Sequence, residues 1–171
     1  MIDIDKLVKE AVEAVKSSET ASVGHFRKTK IEYISLENAK LLALKVEQKA
    51  RERGVNAVVA IADEGGNLKL CECMDNSYLA SRDIAINKAY TSVALKMSTK
   101  KLSTLAQPGA PLYGIQHTNA GKIVIFGGGE PLKYNGRIIG GLGVSGGSEE
   151  QDTFLASYGA SVLAEVIKEF K

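Results

Sequence analysis

The stretch GGGEPLKYNGRIIGGLGVSGG, residues 127–147, holds nine of the chain's 17 glycines and runs directly into Ser148-Glu149-Glu150-Gln151-Asp152. Glycine crowded among β-branched residues is not loop sequence, and Arg137 to Ser145 reads as a strand. Strand side chains alternate, so Ile138, Gly140, Leu142 and Val144 are expected on one side and Ile139, Gly141, Gly143 and Ser145 on the other. Glycine weakens a strand interior unless something approaches the backbone closely there. The face carrying Gly141 and Gly143 must therefore press against a helix, another subunit or a flat ligand. Tight helix-on-sheet packing is the simplest of the three.

Before the Arg137–Ser145 strand, Pro131 to Tyr134 is a short strand and Lys122 to Phe126 another. Downstream, Ser148 with Gln151 three residues later forms a capping box for a last helix. A glycine-rich turn before a helix can bind phosphate through free N–H groups. Here the first helical turn holds Glu149, Glu150 and Asp152, which repel phosphate, and no Walker-type lysine is present.

Towards the N-terminus, Ser35 caps a helix running to about Arg53, with Leu36, Ala39, Ala43, Val46 and Ala50 inward and Gly54 ending it. Val55 to Ala62 and Leu68 to Met74 form a hairpin around Asp63-Glu64-Gly65-Gly66-Asn67, where at least one glycine is expected at positive φ. Asp75-Asn76-Ser77 opens a long helix to about Met97, followed by a short one over Ser98 to Ala106. Gln107 to Gly121, with Pro108, Gly109 and Pro111, is largely loop. Strands joined by short turns pair antiparallel, so the fold class is α+β, with helices covering one face or the edges of the sheet.

Residues 3–16 form an amphipathic helix, with Ile4, Leu7, Val8, Ala11, Val12 and Val15 on one stripe, followed by the polar linker SSETAS. This divides the chain into residues 1–22, helix and linker, and a domain over 23–171. A 14-residue helix is marginal alone in water, so its apolar face needs a partner. Membrane docking is disfavoured, since residues 3–16 carry four acids against three lysines and no Trp or Phe on the apolar face.

Composition is that of an ordinary globular chain, 44% hydrophobic and 25% charged. A net charge of +2 and the absence of tryptophan argue against a nucleic-acid surface. No apolar run approaches the ~20 residues that span a bilayer, and the N-terminus lacks a signal-peptide pattern. A cytoplasmic location is expected. Cys71 and Cys73 stand side by side on one strand face, without the four ligands of a closed zinc site, so they read as structural, with a metal or redox role completed across subunits as the lesser alternative.

Four blocks, in order, resemble one family. They are Ala62-Asp63-Glu64-Gly65-Gly66-Asn67, Ser81-Arg82-Asp83-Ile84-Ala85-Ile86-Asn87-Lys88-Ala89-Tyr90-Thr91, Ala106-Gln107-Pro108-Gly109-Ala110-Pro111-Leu112-Tyr113-Gly114, and the glycine-rich close. Together they are similar to the GlcG/HbpS-like family, which includes the C-terminal domain of PduO-type proteins. Ala110 stands where that family commonly has glycine. The resemblance covers residues 35 to about 165. It implies a profilin-like five-stranded, mainly antiparallel sheet with flanking helices, assembled as a homo-oligomer. The PduO-type branch binds heme through an axial histidine, so the resemblance makes heme the expected cofactor.

His25 is then the better placed iron ligand, with His117 the alternate. Phe26 would serve the porphyrin ring, and Arg27, Lys28 and Lys30 its propionates. Lys88, Gly141 and Gly143 complete the expected cofactor contacts, although a lysine among such apolar neighbours more often snorkels or pairs with a carboxylate. The catalytic adenosyltransferase domain of PduO-type proteins is absent, so that activity is not expected. An enzyme acting on a small metabolite or corrinoid would use Lys88, Asp83 and Tyr113. A ligand-free accessory protein would use the glycine face as a subunit interface. PduO-type proteins also belong to bacterial microcompartments, and residues 1–22 resemble the helices that target cargo to their shells.

Overall fold

The computed structural model describes residues 32–169. Helix α1 is Leu36–Glu52, and strands β1 and β2 are Val58–Asp63 and Leu68–Cys73. Helices α2 and α3 follow at Ser81–Ala94 and Thr99–Leu105, then two 3-10 turns at Ile115–His117 and Asn119–Gly121. Strands β3 and β4 are Gly129–Tyr134 and Arg137–Ser145, and α4 is Glu149–Glu169. The expected helix over residues 3–16, and with it His25, Phe26 and Arg27, lies outside the described residues.

The four described strands form one antiparallel sheet in the order β2-β1-β4-β3. The fifth expected strand, Lys122 to Phe126, is not one. Its Val124 N–H donates to the Thr91 hydroxyl at 3.0 Å, so the segment is tied to α2 and not to a strand ladder. Thr91 in turn donates to the Asn87 carbonyl at 2.7 Å. Ile123 and Val124 are buried by that attachment, which explains their apolar character.

Helices cover both faces of the sheet, a correction to the expectation of one face or the edges. On one face, Leu42, Val46, Leu155, Leu163 and Ile167 of α1 and α4 pack with Val59, Ile61, Leu132, Leu142 and Val144. On the other, Ala85 and Ala89 of α2 meet Val58, Ala60 and Ala62. Ile139 belongs to the first core and does not share the Gly141 face. The cause is a register shift opposite Leu132 and Lys133, which pair with Gly140 and Ile138. Ile139 is the extra residue, and an extra residue reverses the alternation.

Ser35 caps α1 by accepting from the Asn38 N–H at 3.1 Å, and Gly54 leaves the helix at φ +66°. Leu36 is 42% exposed and stays outside the core, where Leu42 takes the inward place. Helix α2 starts six residues later than the expected Asp75. Met74 N–H still bonds to Ala57 across the hairpin, and Asn76 at φ +62° interrupts any helix through it. Lys96 at φ +55° ends α2 before Met97. At the last helix the capping box forms as expected, with Ser148 N–H to Gln151 at 2.9 Å and Gln151 N–H to Ser148 at 3.3 Å.

Candidate functional site

Two of the three glycines of β4, Gly141 and Gly143, make room for helix α2. A methyl group placed on Gly143 would lie 1.9 Å from the Ala85 carbonyl oxygen, and one on Gly141 would lie 2.4 Å from that of Ala89. Small residues on helix and strand together bring α2 against the sheet backbone. Because the chain's own helix fills this face, Gly141 and Gly143 are not open to a flat ligand, and the packing reading holds within one chain.

That close approach carries Lys88 into the interior. Its side chain is fully buried, and Nζ donates to Asp152 Oδ2 and to the Val144 carbonyl, both at 2.8 Å. The Phe126 ring lies close by, its centroid 4.8 Å from Nζ. Asp152 Oδ1 accepts from the Gly147 N–H at 2.9 Å. Burial pushes Lys88 below the ordinary lysine range and Asp152 above the ordinary aspartate range, and their mutual attraction opposes both shifts. The lysine therefore pairs with a carboxylate, one of the two readings its sequence context allowed. Fully buried in this pair, it is closed off from a propionate.

Gly128, at φ +110°, makes room for this knot, since a methyl there would come within 2.6 Å of Lys88 Nζ. Beside it, Glu149 accepts from Lys100 at 2.9 Å and from the Gly127 N–H at 3.1 Å. A cleft of about 300 Å³ opens next to the pair, with Tyr78, Ile84 and Phe126 as apolar walls. Ser81 and Ser145, each nearly fully buried, form its polar floor with hydroxyl oxygens 3.2 Å apart. The arrangement can hold a small ligand of mixed polarity. It contains no free nucleophile with an adjacent base.

Asp83 lies apart from Lys88, in an exposed ion pair with Arg82 at 3.0 Å, and Tyr113 is 65% exposed. The structure does not assemble these three into one reactive group. His117 is exposed at the end of a 3-10 turn, its Nε2 3.4 Å from Gln116 Nε2. It is the one imidazole among the described residues, and it does not line the Ser81–Ser145 cleft. An exposed imidazole suits an axial position on heme iron, with Tyr113 and Ile115 supplying apolar surface nearby in the chain. The donor chemistry fits, while burial of the ring requires surface beyond this loop.

Sequence reasoning did not identify Asp152 as the partner of Lys88, nor the Ser81–Ser145 floor. A signal was present. Asp152 falls on the apolar stripe of α4 with Leu155, Ala156, Gly159 and Leu163, just as Lys88 falls on the small-residue stripe of α2. Opposite charges on two core-facing stripes must find each other or remain unpaired.

The family model described as "Haem degrading protein HbpS-like" matches residues 34–161, and the chain belongs to this HbpS-like family. An uncharacterised 15.0 kDa protein of the dhaT-dhaS intergenic region of Citrobacter freundii is 47% identical over 78% of this chain and 94% of its own length. The corrinoid adenosyltransferase PduO of Salmonella typhimurium is 40% identical over 77% of this chain, which spans only 39% of that protein. A crystal structure of a PduOC:heme complex superposes with a TM-score of 0.73 at 40% identity, covering 75% of this chain and 94% of the other.

Proposed function

We propose that this member of the HbpS-like family binds heme or a related tetrapyrrole as an accessory protein, without acting on a separate substrate. The observation that carries the reading is the similarity to the heme complex of PduOC, at 40% identity over nearly all of that chain. His25 is the proposed iron ligand and His117 the alternate, with Phe26 against the ring and Arg27 on a propionate. Bound heme would supply its iron for ligand exchange or redox chemistry. The protein's part is to hold the iron by an imidazole and shield the ring. The proposal includes a homo-oligomer whose neighbouring subunit completes the pocket, since His117 stands exposed on a surface turn. The match to PduO supports, as a further part of the reading, a place inside a bacterial microcompartment reached through residues 1–22.

The test is the visible spectrum of the full chain titrated with hemin. A saturable shift of the Soret band at one heme per chain, lost in His25→Ala or in His117→Ala, supports the reading and names the ligand. A spectrum identical to free hemin overturns it. A shifted band that then bleaches only when protein is present would replace simple binding with heme breakdown. The competing reading, turnover of a small metabolite by Lys88, Asp83 and Tyr113, has no supporting geometry, since Lys88 is buried in its ion pair while the other two are exposed.

A further inference from the structure

Cys71 and Cys73 occupy β2, an edge strand of the sheet, and both are free thiols. Two residues apart on a strand, their side chains leave the same face. Cys71 is half-buried against the small-residue core under α2, while Cys73 is exposed. Their ladder partners are Ala60 and Val58 of the buried central strand β1, so the spacing between the two cysteines is set by regular pairing. At a rise of about 3.3 Å per residue the two Cα atoms are roughly 6.6 Å apart. That is the upper edge of the ~4.4–6.8 Å range for disulfides, whose usual separation is about 5.5–6 Å. A direct S–S bond is therefore geometrically poor, and an atom inserted between the sulfurs relieves the mismatch.

The thiols nonetheless sense each other. Burial pushes Cys71 up to about 11, and the next cause is its neighbour Cys73. Among the described residues no cluster of three or more His, Cys, Asp or Glu side chains surrounds them. Zinc and other ions that need three or four protein ligands are poorly served by two sulfurs. Soft centres that are satisfied by two sulfurs are well served.

We propose that Cys71 and Cys73 form a chelating dithiol for a soft thiophilic centre, of which trivalent arsenic is the representative. The site is independent of the heme reading. With phenylarsine oxide, two S–H bonds break and two As–S bonds form. The arsenic-bound oxygen leaves with both protons as one water, and arsenic stays trivalent throughout.

The experiment is intact-mass spectrometry of the full reduced chain with equimolar phenylarsine oxide. The expected product is one chain plus one reagent less one water. It should survive a large excess of 2-mercaptoethanol and be removed by 2,3-dimercaptopropanol. Cys73→Ser should abolish the resistant adduct, and because that side chain is exposed, the variant should keep its circular dichroism and melting temperature. Cys71→Ser should do the same to the adduct. No adduct, an adduct washed away by the monothiol, one bridging two chains, or one retained by Cys73→Ser would each overturn the proposal.

Discussion

Lys88 Nζ on α2 lies 2.8 Å from Asp152 Oδ2 on α4, and the lysine side chain is fully buried while that of the aspartate is 5% exposed. The two helices sit on opposite faces of the sheet, so this ion pair ties both outer layers together past the end of β4. Its worth lies mainly in what happens when one half is removed. Breaking a buried pair from one side leaves an uncompensated charge and costs about 3–5 kcal/mol. Replacing both halves by apolar groups is often close to neutral.

Lys88→Met and Asp152→Leu alone should each lower stability by about 3–5 kcal/mol, while the double variant should recover most of that loss. Urea denaturation of the three variants measures the coupling. Equal losses that simply add in the double variant would show that the two residues act independently.

Packing of α2 on β4 gives a second test. Gly143→Ala would set its methyl 1.9 Å from a main-chain carbonyl, which cannot rotate away. The expected loss is about 3 kcal/mol, the upper part of the overpacking range. Gly136→Ala, in the β3–β4 turn with nothing within 4 Å of its added methyl, is the control for backbone strain alone, since it sits at φ +76°. A Gly143 variant no worse than that control would contradict the close approach.

The hairpin turn separates its two glycines. Gly66 is at φ +80° and Gly65 is not among the positive-φ residues. Gly66→Ala should cost about 1–2 kcal/mol for the left-handed conformation. It would also bring a methyl 3.1 Å from the Tyr90 ring. A methyl on Gly65 meets only side-chain ends, Asn67 Nδ2 at 3.0 Å and Asp63 Oδ1 at 3.3 Å, so Gly65→Ala should cost less. Thermal melts of the pair decide the assignment.

Asp63 ties that turn, accepting from the N–H groups of Gly65 and Asn67 at 2.9 Å each. Burial pushes its carboxyl up, but the hydrogen bonds from Asn67 and Gly65 outweigh this and hold it below the ordinary value of 3.8. A depressed carboxyl contributes stability that is present above pH 3.8 and lost as the pH falls through its folded value. Wild-type stability should therefore fall on acidification below about pH 4, and Asp63→Asn should flatten that limb. An unchanged acid limb in the variant would assign the effect to other carboxylates.

Residues 1–22 are open to a direct trial as a targeting helix. Fused to a fluorescent reporter in cells that assemble microcompartment shells, the segment should give punctate fluorescence. Diffuse fluorescence, together with loss of stability or oligomer when the segment is deleted, would instead assign it to packing.

What the sequence by itself determined is local. The Ser35 and Ser148 caps, the Gly54 stop, the left-handed glycine of the Asp63–Asn67 turn and the strand Arg137–Ser145 all appear where short-range chemistry puts them. The close approach demanded by Gly141 and Gly143 was also legible, because glycine in a strand has few other uses. What covered those glycines was not legible, since helix, subunit and ligand leave the same mark in sequence. Tertiary structure alone decided that α2 does so and that helices lie on both faces. It also drew Lys122 to Phe126 away from the sheet, because the Thr91 hydroxyl outbids a strand for the Val124 N–H. The side of Ile139 was set by one extra residue in a ladder, and the partner of Lys88 by contact across 64 residues of chain. Neither can be read from periodicity, because both depend on which segments meet and in what register.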